Sequence, residues 1–280
     1  MYDSNIINSV RKLDTLKYQL RSIDLYYSNY IDNLYLIVED KTEFEKLYKN
    51  LIFVEHKDFI PESIISYNNI NLMDLYILNI EQLSDNFIYM RENWFFLKYH
   101  SLFFKDYPIF NIIKKSNNDK ITDSRFYSDY KSREILITSN LKDQFTSDYI
   151  IYPKTIPIAL RKNLLSNVKN WINNTSYENI IESNNFSGIP QKTDINYLIY
   201  GDYLYYTDNY ITEPLNTKFI KLYNSINKIN QDFNNIAETN CFLSLLNIDQ
   251  IKTVEEFEEK KVLVNSWLEQ RFPDKCKYEI

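Results

Sequence analysis

Glycine is the residue this chain almost does without: Gly188 and Gly201 are the only two in 280 residues. Phosphate loops, dinucleotide fingerprints and nucleophile elbows all place glycine where backbone must approach a ligand or take a positive φ. With no GxG anywhere, none of those devices is present in standard form. Alanine stands only at 159 and 237, while tyrosine occurs 25 times and Asn, Ile, Lys and Phe are plentiful. Such usage reads first as the codon bias of an A+T-rich genome.

The stretch Asn93–Asn140 sets the fold class. NWFFLK (Asn93–Lys98) is a short apolar run that reads as a buried strand. FFKDYPIFNIIKK (Phe103–Lys115) predicts a helix starting near Pro108, with Asp106 close to its N-cap. KITDSRFYSDYKSREILITSN (Lys120–Asn140) predicts a strand, a polar excursion and the strand Glu134–Thr138. That order suits half of an open α/β sheet, against the alternative of an all-helical chain.

From the start, Ile6–Leu25 carries apolar residues at helical spacing with Arg and Lys between them, an amphipathic helix. NLYLIVED (Asn33–Asp40), KTEFEKLYKN and LIFVEHKDF read as strand, short helix and strand, a βαβ unit with parallel strands. MDLYILNI (Met73–Ile80) reads as a strand and SDNFIYMRE (Ser84–Glu92) as a helix. Further helices are expected at Thr155–Ile172, Leu215–Glu238 and Val254–Leu268, with a hairpin at Ile195–Asp208 turning on Gly201-Asp202. The expected fold is α/β: an open, Rossmann-like doubly wound sheet with a C-terminal helical extension. It is read as a single domain over 1–280, with an N-terminal helix at 1–30, a sheet core at 31–140, and helices and hairpin at 141–280.

Charge and composition narrow the chemistry. A net charge of −6 argues against binding nucleic acid by charge alone. Cys241 and Cys276 fit a reducing compartment and cannot hold a metal by themselves; with His56 and His100 the only histidines, no metal site is expected. No run approaches the length of a membrane span, and the first residues lack a secretory layout. The expected setting is soluble and cytoplasmic, with no membrane partner.

Four polar residues stand at or beside element ends: Lys12, Asn79, Lys98 and Glu134. In a doubly wound sheet such positions line the ligand crevice, and two lysines near a carboxylate could activate a hydroxyl. They also suit the points where buried strands meet solvent. RKLD (Arg11–Asp14), LYILN (Leu75–Asn79), FFLK (Phe95–Lys98) and SREILITSN (Ser132–Asn140) resemble the ordered motifs of the ribose 2′-O-methyltransferase fold. The resemblance implies a Lys-Asp-Lys-Glu tetrad matched at Lys12, Lys98 and Glu134, with Asn79 where aspartate belongs. The cofactor turn after the first strand is Glu39-Asp40-Lys41-Thr42, acidic and without glycine, so no cofactor-binding residues are expected.

LYILNIEQL, WFFLKYHSLF, ITDSRFYSDYKSREILITSNL, RKNLLSNVKNWINNTSYENI and EPLNTKFIKLYNSINKINQDF, in that order, are similar to the small subunit of poxvirus-type mRNA-capping enzymes. This second resemblance implies a viral, non-catalytic regulatory subunit, a pseudoenzyme with no catalytic residues and a vestigial tetrad. It would form a heterodimer with the capping-enzyme large subunit, in the cytoplasm or the virion. There it would stimulate cap guanine-N7 methylation in mRNA processing, contacting RNA indirectly, while the partner binds S-adenosylmethionine. The tyrosine-rich Tyr197–Tyr210 offers the interface. The alternatives are a divergent cap 2′-O-methyltransferase and a stand-alone RNA-binding module. Calorimetric titration of the isolated chain with S-adenosylmethionine is expected to give no saturable heat, because Glu39 and Asp40 occupy the turn that would cradle the cofactor; micromolar saturation would overturn that expectation.

Overall fold

Helix α1 (Leu16–Tyr27) is enclosed on nearly every side, burying Tyr18, Leu20, Ile23 and Tyr27 together with the polar Gln19, Arg21 and Ser22. An ordinary surface helix buries one stripe, so this one must carry partners for its polar groups. In this computed structural model the described residues are 15–62, 76–90, 92–99, 101, 111–114, 149–152, 158–167, 217–237, 242–246, 251 and 253–280. They make a mixed α/β architecture of small sheets and helices.

Strands β1 (Tyr35–Val38) and β2 (Ile52–Glu55) pair in parallel from Tyr35 opposite Ile52 to Val38 opposite Glu55, and α2 (His56–Phe59) follows at once. A short 3-10 turn, Ile77–Asn79, comes before β3 (Asn86–Tyr89). β4 (Trp94–Phe96) is the edge of a three-stranded sheet, and β5 (Asn111–Lys114) pairs antiparallel with β6 (Tyr149–Tyr152). β7 (Ile158–Arg161) pairs antiparallel with β3. β8 (Thr217–Lys221) leads to α3 (Ile226–Ala237) and β9 (Phe242–Leu246), with β9 lying between β4 and β8, antiparallel to the first and parallel to the second. Helix α4 (Val254–Arg271) closes the core; Thr253 Oγ1 accepts from Glu256 N at its start, and Glu255 and Glu256 there with Arg271 at its end suit the helix dipole.

The main core joins residues far apart in sequence. Tyr18 of α1, Phe95 and Leu97 at β4, Ile220 and Leu222 at β8, Ile229 and Phe233 of α3, and Phe257, Val264 and Leu268 of α4 form one buried cluster. Phe233 stacks on Trp267 at 4.5 Å. A second cluster sets Ile23 and Tyr27 against Trp94 and Phe96. The outer edge of β4 is covered by α1: the Phe96 amide donates to Ser22 Oγ at 3.3 Å, and Ser22 in turn donates to the Gln19 carbonyl. A hydroxyl on the helix thus satisfies a strand amide that would otherwise be buried unpaired.

Arg21 is the other polar group α1 carries inward. Its guanidinium donates to Glu279 through Nε at 2.7 Å and Nη2 at 3.0 Å, and to the Phe272 carbonyl at 2.7 Å, with Glu269 at 3.4 Å. This fixes segment 272–280, whose Cys276 and Tyr278 pack on Leu20. The segment then reaches the β1–β2 crossover: Lys49 N donates to Tyr278 O, Ile280 N to Leu47 O, and Asn50 Nδ2 to Lys277 O.

Several sequence expectations are corrected. The KTEFEKLYKN helix is a series of turns, although the parallel pairing it was meant to produce is present. Within MDLYILNI the described residues form the 3-10 turn rather than a strand, and SDNFIYMRE contains strand β3 instead of a helix. Asn111–Lys114, placed in a helix from its spacing, is β5; Ile158–Arg161 and Thr217–Lys221 are strands cut from the expected helices at Thr155–Ile172 and Leu215–Glu238. Short Ile-, Phe- and Tyr-rich runs fit both periods, and cross-strand packing settles them as strands. The expected hairpin and the Glu134–Thr138 strand lie outside the described residues, as do positions 1–14 of the first helix.

Two stability outcomes follow from this packing. Phe257→Ala, which empties a fully buried position, is expected to cost about 3–5 kcal/mol in urea unfolding. Burial pushes the Glu279 carboxyl up, but the hydrogen bond and charge of Arg21 and the hydrogen bonds from Cys276 together outweigh it and hold the group below its ordinary value of 4.5. A lowered native value means the contribution is complete above the ordinary range and is lost as pH falls through it towards the native value. Urea midpoints of native chain and Glu279→Gln should therefore differ at pH 7, and the difference should shrink as pH falls below the ordinary carboxylate range.

Candidate functional site

The carboxyl edge of the parallel β1–β2 pair gathers the densest set of chemically versatile side chains among the described residues. The register that sets Val38 opposite Glu55 brings the next residues, Glu39 and His56, out at the same edge. Beyond β1 the chain turns through Asp40-Lys41-Thr42, and Asp40 Oδ1 accepts from Thr42 N at 2.8 Å. An aspartate that bonds the amide two residues on makes its own tight turn without glycine. The bonds from Thr42, with smaller help from Lys57 and Lys46, hold the Asp40 carboxyl below its usual range. It is therefore a fixed anion, suited to accepting hydrogen bonds.

Beyond β2, Asp58 Oδ2 accepts from Glu55 N at 2.9 Å and starts α2. Lys57 Nζ lies 3.0 Å from Glu55, which raises the lysine's pKa and keeps it charged. Lys41 pairs with Glu45 at 3.5 Å. Both ammonium groups are exposed, but the two pairs differ. Lys41–Glu45 is exposed on both sides and weak, so Lys41 is free in energy terms to move onto an anionic ligand, whereas Lys57 is held by a Glu55 carboxylate that is only 12% exposed. His56 is the one imidazole among the described residues, half-buried with its ring edge-on to Phe59 at 6.3 Å. Imidazole is the commonest general acid or base. Among the described residues no three His, Cys, Asp or Glu side chains gather as a metal site, and no helix is long and apolar enough to cross a membrane.

Of the four tetrad positions, only Asn79 and Lys98 fall among the described residues. Lys12 and Glu134 lie outside the described residues. Asn79 uses its amide to hold the Phe59 carbonyl at 3.0 Å, tying the 3-10 turn to the end of α2. Lys98 is exposed just after β4. Sequence reading placed Glu39–Thr42 at a strand end correctly but passed over His56, Lys57 and Asp58, which it absorbed into the strand LIFVEHKDF. The signal was there: four consecutive polar residues, Glu55 to Asp58, after an apolar run.

No family model matches the chain. It is 21% identical to the capsular polysaccharide phosphotransferase WcwK of Streptococcus pneumoniae, in an alignment of 307 residues that covers 99% of this chain and 89% of that protein. This finding corrects the capping-enzyme resemblance and what it implied: the end-to-end similarity is to a bacterial transferase, not to a viral small subunit of an mRNA-capping complex. The expectation of a non-catalytic pseudoenzyme is corrected by the same finding, since that relative is named as an enzyme. The physical reason for the misreading is compositional. In a chain built from Ile, Asn, Tyr, Lys and Phe, short strings such as LYILN and FFLK arise readily, and LYILN is not even a strand. Likewise, a turn without glycine excludes a backbone cradle for phosphate, not recognition by side-chain charge.

Proposed function

We propose that this chain is a phosphotransferase-type enzyme that joins a phosphate-bearing group to a hydroxyl of a saccharide acceptor, with the carboxyl edge of β1 and β2 as its working face. The observation that carries this reading is the similarity to a capsular polysaccharide phosphotransferase along 99% of the chain. The parallel pairs β1–β2 and β8–β9 support a Rossmann-like doubly wound arrangement in the same proposal. A core that draws on residues from Tyr18 to Phe272 supports a single domain.

Transfer at phosphorus leaves a protein little covalent work; it must position two oxygens and offset developing charge. Lys41 and Lys57 supply the positive charge: Lys41 exchanges its weak surface pair for phosphate oxygens, and Lys57 offers its remaining donors while Glu55 holds it in place. The acceptor hydroxyl oxygen forms a bond to phosphorus as the bond to the donor's leaving oxygen breaks. His56 takes the hydroxyl proton, and the fixed Asp40 carboxylate accepts a hydrogen bond from a neighbouring hydroxyl of the saccharide and so orients the acceptor. Phosphorus NMR of the full chain with a nucleotide-activated sugar and a saccharide acceptor is expected to show a new phosphodiester. His56→Ala should slow its formation about 10²-fold or more with an unchanged urea midpoint. A failure to form phosphodiester with donor and acceptor pairs that the pneumococcal enzyme accepts would end the proposal.

A further inference from the structure

The 272–280 segment does more than cover α1. Its contacts with the β1–β2 crossover are mostly main-chain bonds: Lys49 N to Tyr278 O at 2.8 Å, Ile280 N to Leu47 O at 3.1 Å, and an isolated antiparallel bridge between Tyr48 and Glu279. Asn50 sits in the left-handed region at φ 56° and gives its side-chain amide to Lys277 O at 2.9 Å. Asparagine adopts that region with little penalty, so the chain turns there and meets the segment with its side chain. From Tyr48 back to Lys41 the crossover is a relay of overlapping turns. Tyr48 N and Leu47 N both donate to Phe44 O, and Glu45 N donates to Lys41 O. The next bond in the relay is Thr42 N to Asp40.

We propose that residues 276–280 are a latch on the β1–β2 crossover, with Glu279 as the positioning residue and Arg21 as its anchor, and that the turn relay carries this restraint to Asp40–Thr42 at the carboxyl edge. The inference rests on the phosphotransferase reading only for its effect on activity; the mechanical coupling stands on the bonds above. Glu279 is the group that decides it, because its two-pronged contact with Arg21, at 2.7 and 3.0 Å, is shorter and more buried than the Asp24–Lys277 contact, which runs at 3.2 Å through the amide and 3.5 Å through the ammonium. Other groups surround that contact: Glu269 and Lys17 at the α4–α1 seam, Asp24 and Lys277 with Lys277 N donating to Asp24 at 3.2 Å, and the Cys276 amide, which donates to Glu279 at 3.0 Å. Glu269 is half exposed and sits at the longer distance, so it is a weak substitute anchor.

Amide hydrogen exchange on the full chain tests the coupling without substrate. Glu279→Gln keeps the shape and removes the charge. It is expected to speed exchange at Lys49, Leu47, Glu45 and Thr42 by about tenfold or more, leaving the α3 amides of Ile226–Ala237 unchanged. Asn50→Gly, which keeps the positive φ and removes only the Lys277 contact, should move the same amides in the same direction, and it serves alone if Glu279→Gln does not fold. Faster exchange at Lys49 with Thr42 and Glu45 unchanged would overturn the relay. A uniform rise that includes α3 would make the segment an ordinary stabilising element and overturn the latch. With a working phosphodiester assay, Asn50→Gly should raise KM several-fold at unchanged kcat; absence of any activity in the native chain would instead fail the phosphotransferase reading and leave the exchange result standing.

Discussion

Everything in this structure that is near α1 depends on how one buried guanidinium is satisfied. Arg21 is only 7% exposed, and an unpaired charge at such depth would be expelled or would unfold its surroundings. Glu279 and the Phe272 carbonyl answer it from the far end of the sequence, with Glu269 at the rim. Breaking such a pair by removing one partner costs about 3–5 kcal/mol, because the other is left buried alone. A pair of this kind adds less net stability than specificity of arrangement. Here it fixes where segment 272–280 lies, and that segment fixes the crossover between the parallel strands.

The same economy of polar contacts runs through the rest of the helix. Ser22 satisfies an amide on the outer edge of β4, and Thr15, instead of capping its own helix, gives its hydroxyl to Asn93 at 2.6 Å. Asn93 takes a left-handed conformation at φ 62°, in the turn that brings β3 into β4. With glycine almost absent from the chain, asparagine performs the left-handed turns at 50 and 93; the Asn50 side-chain amide donates to the Lys277 carbonyl, and Asn93 Oδ1 accepts from the Thr15 hydroxyl. The scarcity that excluded glycine-rich loops therefore did not exclude tight turns.

That distinction matters for function. Reading the glycine-poor, acidic turn after β1 as evidence of a dead site confused one device with the chemistry it serves. Phosphate can be met by side-chain cations as well as by backbone amides, and the carboxyl edge of β1 and β2 presents Lys41 and Lys57 beside Asp40 and His56. The similarity to a bacterial polysaccharide phosphotransferase points the same way. The parallel pair itself carries the general logic of α/β sites, in which the ends of neighbouring parallel strands converge on one crevice.

What the sequence alone determined was local and strongly patterned: the apolar runs YLIV and WFF as strands, the α4 helix, the parallel β1–β2 pairing, and a mixed α/β class. Those signals are legible because burial of a run or a stripe is written in its own residues. The strands at Asn111–Lys114, Ile158–Arg161 and Thr217–Lys221 were decided only by tertiary structure. Their five-residue-scale patterns suit helix and strand equally, and the partner that settles the matter lies elsewhere in the chain. The placement of His56 and Lys57 at the strand edge followed only from where β2 ends, at Glu55 opposite Val38. Arg21 looked like one of several cations on a polar face; its role came from Glu279, 258 residues away. Pairing at that separation leaves no trace in local spacing, since it is selected by the folded geometry of both ends at once.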